Sequence, residues 1–158
     1  MIYNFTTDKE EIMKMVEGYQ WWEHQKIVFT NGCFDIFHAG HVNLLNETKK
    51  LGDILIVGMN SDKSVKLLKG EGRPINNQDD RSLILSSICS VDEVIIFDEF
   101  SVIDLIKFIK PNIITKGADY TLEQLEPEAN FMKEMGGELI LIPITKDISS
   151  TKIISKLK

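Results

Sequence analysis

Residues 27–41 read Ile-Val-Phe-Thr-Asn-Gly-Cys-Phe-Asp-Ile-Phe-His-Ala-Gly-His. The first four are apolar or β-branched, as in a buried strand, and the Asn-Gly pair that follows ends the run. From residue 39 to 51 the pattern is helical, and Gly52 is a natural stop. A strand, a glycine-containing turn and a helix N-terminus in this order favour a phosphate site, because unpaired backbone N–H groups collect at the helix start.

The rest of the chain continues the alternation of apolar runs and helical patterns. Further strands are predicted at 54–57, 94–97, 112–115 and 139–142. Helices are predicted at 79–90, 101–109, 128–135 and 150–157, and another follows a Thr7–Glu10 capping box. Such alternation predicts a parallel sheet covered on both faces. We therefore expect a helical lead-in over residues 1–25. A single Rossmann-like doubly wound α/β domain with a five-stranded parallel sheet should follow over residues 26–158.

The charge distribution limits the kind of partner. The chain has 158 residues, with 24 acidic against 18 basic, a net charge of −6. This excess of acid argues against binding to nucleic acid. Residues 38–81 nevertheless hold seven basic and six acidic side chains and include both arginines, Arg73 and Arg81, whereas the remainder has a net charge of −7. The local balance suits a small phosphorylated ligand.

Other patterns bear on location. No apolar run reaches the roughly 18–20 residues of a membrane span. The first residues lack the basic and apolar regions of a secretory signal. Cys33 and Cys89 form neither a disulfide pattern nor a zinc spacing. The sequence thus predicts a cytoplasmic protein that does not contact membranes.

Two histidines stand three residues apart at the start of the predicted helix. His38 and His41 then share one face of its first turn, where they can donate hydrogen bonds to phosphate oxygens. Gly40 lets a ligand approach the backbone closely. The spacing also occurs by chance, and with Cys33 and Asp35 the pair could hold a metal. Nothing places those two residues on the histidine face, so no metal site is predicted.

A series of motifs resembles one family. After residues 30–41 come Asn-Ser-Asp at 60–62, Lys-Gly-Glu-Gly-Arg-Pro at 69–74, Val-Asp-Glu-Val at 91–94, Lys-Gly-Ala-Asp-Tyr at 116–120 and Ile-Ser-Ser-Thr-Lys-Ile at 148–153. In this order they resemble the His-x-Gly-His nucleotidyltransferase superfamily over nearly the whole chain. The strings at 69–74 and 116–120 are similar to those of its adenylyltransferases that make ADP-heptose from heptose 1-phosphate. The P-loop and dinucleotide fingerprints do not occur.

Three alternatives stay open. One is a glycerol-3-phosphate cytidylyltransferase-like enzyme, another an FAD-synthase-like enzyme, and the third a non-catalytic nucleotide-binding module. The cytidylyltransferases usually carry two further arginines where this chain has Cys89 and Ile144. Their absence disfavours that alternative, because an apolar residue cannot replace the bidentate fork of arginine. The choice of ATP over CTP rests on the resemblance.

The resemblance implies a reaction and its participants. AMP passes from ATP to a sugar 1-phosphate, heptose 1-phosphate, with release of pyrophosphate and no covalent enzyme intermediate. The ADP-heptose formed supplies the synthesis of lipopolysaccharide or another glycan. Mg²⁺ is expected to bind through the ATP phosphates. A homodimer or higher homo-oligomer is expected as well.

The resemblance also implies a role for individual residues. The catalytic residues are His38, His41 and Arg81. The nucleotide-binding residues are Thr30, Asn31, Gly32, Phe34, His38, Gly40, His41, Lys116, Gly117, Asp119, Ser149, Ser150 and Thr151. The substrate-binding residues are Asp35, Lys69, Arg73 and Arg81. The cations among the last group are predicted to lie on a flexible flap over the phosphates.

Overall fold

A computed structural model describes residues 1–22, 24–98, 102–118, 120–121, 123–143 and 148–156. Within these ranges, six strands form one sheet. They are β1 Ile2–Asn4, β2 Ile27–Gly32, β3 Ile54–Asn60, β4 Glu93–Phe97, β5 Ile113–Gly117 and β6 Glu138–Ile142. The α-helices are α1 Lys9–Glu17, α2 Ala39–Lys49, α3 Asp62–Lys69, α4 Gln78–Ser86, α5 Ile103–Ile109, α6 Glu126–Glu134 and α7 Ser150–Lys156, and α1 continues into a π-helical turn, Gly18–Trp22.

The sheet is parallel throughout, with strand order β1-β4-β3-β2-β5-β6. From β2 the chain moves outward through β3 to β4, and then returns to place β5 on the opposite side of β2. The strand order therefore reverses between β2 and β5. In doubly wound sheets the crevice beyond the carboxyl ends of such a strand pair is the usual ligand site.

The parallel α/β architecture predicted from the sequence is confirmed, but the predicted number of five strands is wrong. The sixth strand, β1, pairs with β4 at the sheet edge, with Ile2 opposite Val94. A three-residue strand is too short for its alternation to be recognised in a sequence. The predicted Thr7–Glu10 capping box is also wrong, because the Thr7 hydroxyl donates to the Asp8 carboxylate instead, at 2.7 Å.

A helix follows β3 where the sequence predicted only a flexible segment. In α3, the Ser61 hydroxyl accepts a hydrogen bond from the Ser64 N–H and caps the first turn. The helix ends at Gly70, whose φ of 88° suits glycine. Lys69 therefore lies in the last turn of a helix.

Two apolar clusters cover the sheet, one on each face. Ile56 of β3 belongs to the first cluster, together with side chains of α1, α5 and α6. Its neighbours Leu55 and Val57 belong to the second, together with side chains of α2 and α4. Strands that are buried on both faces read as continuous apolar runs, which is why they were recognised in the sequence. None of the helices in the described part of the chain is long and apolar enough to cross a membrane.

Candidate active site

A cavity of about 940 Å³ opens at the carboxyl ends of β2 and β5, where the strand order reverses. Most residues predicted for the site lie in its wall. They are Asn31, Gly32, Phe34, Asp35, His38, Gly40, His41, Lys69, Arg73, Lys116, Gly117, Ser149, Ser150 and Thr151. Thr30 and Arg81 lie outside this wall. Asp119, Ile144 and Ser101, the last of them predicted to begin a helix, fall outside the described residues.

The two histidines cap the helix that carries them. His38 is the N-cap of α2, and its Nδ1 accepts a hydrogen bond from the Gly40 N–H at 3.1 Å. In return, the His38 N–H donates to the Nδ1 of His41 at 3.3 Å. The two rings stack, with centroids 3.8 Å apart and planes inclined by 18°. This reciprocal capping satisfies backbone N–H groups at the helix start and fixes both rings.

Burial favours the neutral form of both rings. It lowers the pKa of His38, and burial together with the neighbouring His38 and Lys69 lowers the pKa of His41 to about 3. Because each Nδ1 accepts a hydrogen bond, each neutral ring carries its proton on Nε2. The pair therefore offers two Nε2–H donors to a ligand. A nearby phosphate would raise both pKa values and strengthen these bonds.

Gly40 allows the starts of α2 and α7 to lie together. A Cβ at this position would lie 2.9 Å from His38 Cε1 and 3.4 Å from Ile148 Cγ2. The Ser150 hydroxyl also donates to the Ile36 carbonyl at 3.2 Å, which ties α7 to the turn before α2. Two helix N-termini consequently meet at the cavity, and both favour negative charge.

Asp35 braces the cavity on the β3 side. Its side chain is buried, with 1% exposed. One oxygen accepts from Arg73 Nε at 2.5 Å, and the other accepts from the N–H groups of Ile75 and Asn76 at 2.7 and 2.9 Å. Burial acts to raise the pKa of Asp35, but these hydrogen bonds outweigh it and hold the pKa below its usual range. The carboxylate thus orients the turn that carries Arg73.

Arg73 has a hydrogen-bond donor to spare. Its Nε is held by Asp35, whereas its Nη2 is buried without a hydrogen-bond partner among the described residues. A buried donor that stays unpaired is costly, and Arg73 lines the cavity, so an anionic oxygen of a ligand that reached Nη2 would relieve this cost. Lys69 adds a second, exposed cation to the same side of the wall.

Arg81 corrects the prediction of a flexible cationic flap. It lies in α4 with 1% of its surface exposed. Its guanidinium donates to the carbonyls of Cys33, Asn60 and Asn76 at 2.5, 2.8 and 3.0 Å. A fourth bond, of 2.7 Å, joins it to the Asp62 carboxylate. The side chain, itself outside the cavity wall, therefore links the turn after β2, the end of β3, the start of α3 and the segment after Arg73.

On the β5 side the buried charges are paired. Lys116 is 5% exposed, donates to Asn31 Oδ1, and lies 3.9 Å from Glu128 Oε1. Burial lowers the pKa of Lys116, and Glu128 opposes that shift. Glu128 also lines the cavity but was not predicted, because no motif marks it in the acidic start of α6. Thr30 is used within the sheet, where its hydroxyl donates to the Thr115 carbonyl at 3.0 Å.

Among the described residues, no group of three or more His, Cys, Asp or Glu side chains is placed to hold a metal ion. The cavity instead combines helix N-termini, two imidazole donors and an unpaired guanidinium N–H. Such a set can bind a chain of phosphates and stabilise charge that develops on phosphoryl oxygens.

The chain is similar in sequence to known proteins. A family model described as cytidylyltransferase-like matches residues 29–156. Bifunctional protein HldE of Aliarcobacter butzleri (strain RM4018) is 50% identical over 134 residues, which cover 85% of this chain and 27% of that protein. Bifunctional protein HldE of Campylobacter jejuni (strain RM1221) is 46% identical over 151 residues, or 96% of this chain and 31% of that protein. The chain thus spans less than a third of the length of these relatives.

Two solved structures are similar in fold. The lipopolysaccharide core biosynthesis protein from Thermoplasma volcanium GSS1 is 30% identical, with a TM-score of 0.65, over 78% of this chain and 99% of that one. Pantoate-beta-alanine ligase from Francisella tularensis has a TM-score of 0.68 over 98% of this chain and 75% of that one. Its identity is only 17%, so it supports the fold alone.

Proposed function

Because the chain belongs to the cytidylyltransferase-like family, we propose that it transfers AMP from ATP to a heptose 1-phosphate and releases pyrophosphate. The observation that carries this proposal is the stacked pair of His38 and His41 at the start of α2, with Nδ1 engaged and Nε2–H left as donor in each ring. The heptose acceptor is supported by the resemblance of the motifs at 69–74 and 116–120. It also agrees with the lipopolysaccharide role named for the Thermoplasma volcanium structure.

The proposed reaction is a direct displacement at phosphorus. An oxygen of the acceptor phosphate attacks the α-phosphorus of ATP, and the bond from that phosphorus to the oxygen bridging to the β-phosphate breaks. Pyrophosphate leaves with the bonding electron pair, so no enzyme side chain is modified. The protein then contributes by positioning two anions and stabilising the charge of the transition state.

Different side chains of the site can contact different phosphates of the two substrates. His38 and His41 donate to oxygens of the α-phosphoryl group. The β- and γ-phosphates lie at the start of α7, where Ser149 and Thr151 line the cavity. Arg73 takes the acceptor phosphate through its unpaired Nη2. Arg81 acts from outside the cavity wall, by holding the segments that carry these groups.

Mg²⁺ is proposed to enter with ATP. When bound, it neutralises part of the triphosphate charge. The residues present fit a metal held by phosphates and water, because Asp35 accepts three hydrogen bonds from the protein and Glu128 lies beside Lys116. The oligomeric state and the cytoplasmic location stay predictions, and light scattering in solution tests the first.

The substrate pair is tested by measuring pyrophosphate release. ATP and CTP are each combined with heptose 1-phosphate, glycerol 3-phosphate and FMN. We expect turnover for ATP with heptose 1-phosphate. Turnover with only one of the other pairs would change the substrate assignment, and no turnover with any pair would contradict the proposal.

The histidine pair is tested with His38→Asn. Asparagine keeps an N-cap acceptor for α2 but removes the Nε2–H donor. We expect kcat to fall by roughly 10²- to 10³-fold, as for the loss of one transition-state donor, with little change in Tm. His24→Asn is the matched control, since asparagine tolerates the φ of 50° at that position. It should keep the wild-type rate, and an equal rate in both variants would favour a non-catalytic role for the pair.

A further inference from the structure

A carboxylate lies in the cavity wall on the β5 side. Glu128, in the first turn of α6, is 8% exposed and lines the cavity. Among the described residues it forms an ion pair with the Lys116 ammonium, 3.9 Å from Oε1. That distance exceeds the usual hydrogen-bond limit of about 3.2 Å. The carboxylate therefore has a counter-charge but accepts no hydrogen bond from the described residues.

Lys116 does not draw the carboxylate any closer, because it has other partners. Its Nζ donates to Asn31 Oδ1 and lies 5.6 Å from the centroid of the Tyr120 ring. A carboxylate that lines a cavity and has no protein donor depends on solvent or on a ligand for its hydrogen bonds. A ligand that fills the cavity and displaces the solvent must supply a donor in its place.

The sign of the charge restricts what that donor is. A phosphate beside Glu128 would place two negative charges in contact, and this is unfavourable in a partly buried site. The phosphates instead have His38, His41 and Arg73 in other parts of the same wall. The part of a nucleotide that offers neutral donors is its nucleoside, through the ribose hydroxyls and the exocyclic amino group of the base.

We propose that Glu128 is a specificity-determining residue that accepts a hydrogen bond from a neutral donor of the nucleoside. It thereby directs the nucleoside toward β5 and α6, with the phosphates toward α2. This inference rests on the proposed function for the identity of the ligand as a nucleotide. Carboxylates bind ribose hydroxyls and amino groups by the same chemistry, and the experiment separates these two donors.

If Glu128 had only a structural role, removing its carboxylate would have a different effect on nucleotide binding. Glu128 also neutralises Lys116 and lies at a helix N-terminus, where an acidic residue is stabilising. If this were its only role, removing the carboxylate would weaken binding of every nucleotide by the same factor. If it contacts the nucleoside, the loss depends on whether the nucleotide carries the donor.

The experiment measures equilibrium binding by calorimetry, without an acceptor, for ATP, 2′-deoxy-ATP, 3′-deoxy-ATP and inosine triphosphate. The last has a carbonyl oxygen in place of the adenine amino group. In the wild-type chain we expect the analogue that lacks the contacted donor to bind roughly 10- to 150-fold more weakly than ATP. In Glu128→Ala this ratio should fall to about one, and Glu128→Gln should lie between, since an amide oxygen still accepts.

Glu126→Gln is the matched control, because Glu126 is an exposed carboxylate in the same helical turn and outside the cavity wall. It should leave the ratio unchanged. The inference is overturned if no analogue binds more weakly than ATP, or if the ratio persists in Glu128→Ala. Should that variant fail to fold, an unchanged ratio in Glu128→Gln overturns it equally.

The same proteins separate this inference from the proposed function. Analogue ratios that depend on Glu128 without pyrophosphate release for any acceptor would overturn the proposed reaction alone. Turnover with ratios that do not depend on Glu128 would overturn the inference alone. A chain that binds no nucleoside triphosphate would overturn both.

Discussion

Arg73 in the cavity wall and Arg81 outside that wall differ in how their hydrogen bonds are used. The guanidinium of Arg81 has four bonds to protein oxygens and is excluded from solvent. That of Arg73 has a bond to Asp35 through Nε, while its Nη2 is buried without a partner among the described residues. Each guanidinium nitrogen of Arg81 thus has a protein partner, which suits a structural role, whereas the unpaired Nη2 of Arg73 suits contact with a ligand. We therefore predict a structural role for Arg81 and a ligand-binding role for Arg73.

We expect Arg81→Met, a change outside the cavity wall, to lower the free energy of unfolding strongly. Three carbonyls, those of Cys33, Asn60 and Asn76, would lose this donor. Because each unpaired buried polar group costs roughly 1–3 kcal/mol, the free energy of unfolding should fall by about 3 kcal/mol or more. Urea denaturation of the whole chain measures this. A variant that is inactive but as stable as the wild type would instead favour the catalytic role implied by the resemblance.

We expect Arg73→Lys, a change in the cavity wall, to weaken binding of the acceptor. Lysine keeps the positive charge beside Asp35 but lacks the fork that reaches both the carboxylate and a ligand. We expect the KM of the acceptor to rise roughly 10- to 100-fold, from the loss of a hydrogen bond to a charged group. The KM of ATP and the free energy of unfolding should change little. Pyrophosphate release is measured against each substrate in turn, and an unchanged acceptor KM would show that Arg73 does not bind the acceptor.

We expect the free energy of unfolding to fall in acid because of His41, which lies in the cavity wall. Its pKa is lowered to about 3 in the folded chain, whereas an unfolded histidine titrates near 6.5. Between these values the unfolded chain binds more protons, so stability decreases as the pH falls. Asp35, with its lowered pKa, acts in the same direction at still lower pH, where its stabilising bonds are lost on protonation.

The comparison is made with His41→Phe, which keeps an aromatic ring between Phe34 and Phe37. Without the imidazole, the variant should lose less stability than the wild type between pH 7 and pH 4. We expect a difference on the order of 3 kcal/mol over that range. Parallel stability curves from urea denaturation would show that burial of His41 does not contribute to the pH dependence.

Most of the strands and helices could be predicted from local patterns in the sequence. The strands β2 to β6 are apolar runs long enough to be recognised, and the start of α2 is marked by the histidine pair. The strand β1 was missed because three residues carry too little pattern. Helix α3 was missed because its residues 62–69 are mostly polar and its apolar face is short.

The site was predicted unevenly for a similar reason. His38, Gly40 and His41 act within one turn of helix, so their spacing reveals their geometry. Glu128 and Arg81 act through partners that are distant in the chain. Lys116 precedes Glu128 by twelve residues, and Cys33 lies 48 residues from Arg81. No sequence pattern reports whether such partners meet.

The order of apolar runs, glycine turns and motifs was sufficient to identify the parallel α/β fold and the family, and it predicts a phosphate-binding turn. These features depend on neighbours a few residues apart, which a sequence displays directly. The use of each charged group was settled by the packing of distant segments. Each guanidinium nitrogen of Arg81 has a protein partner, Arg73 retains an unpaired Nη2 and Glu128 lines the cavity. These differences depend on where the connections β2–β3, β3–β4 and β5–β6 place their oxygen and nitrogen atoms. Hydrogen-bond saturation is a property of three-dimensional surroundings, so only the folded chain distinguishes a structural charge from one that awaits a ligand.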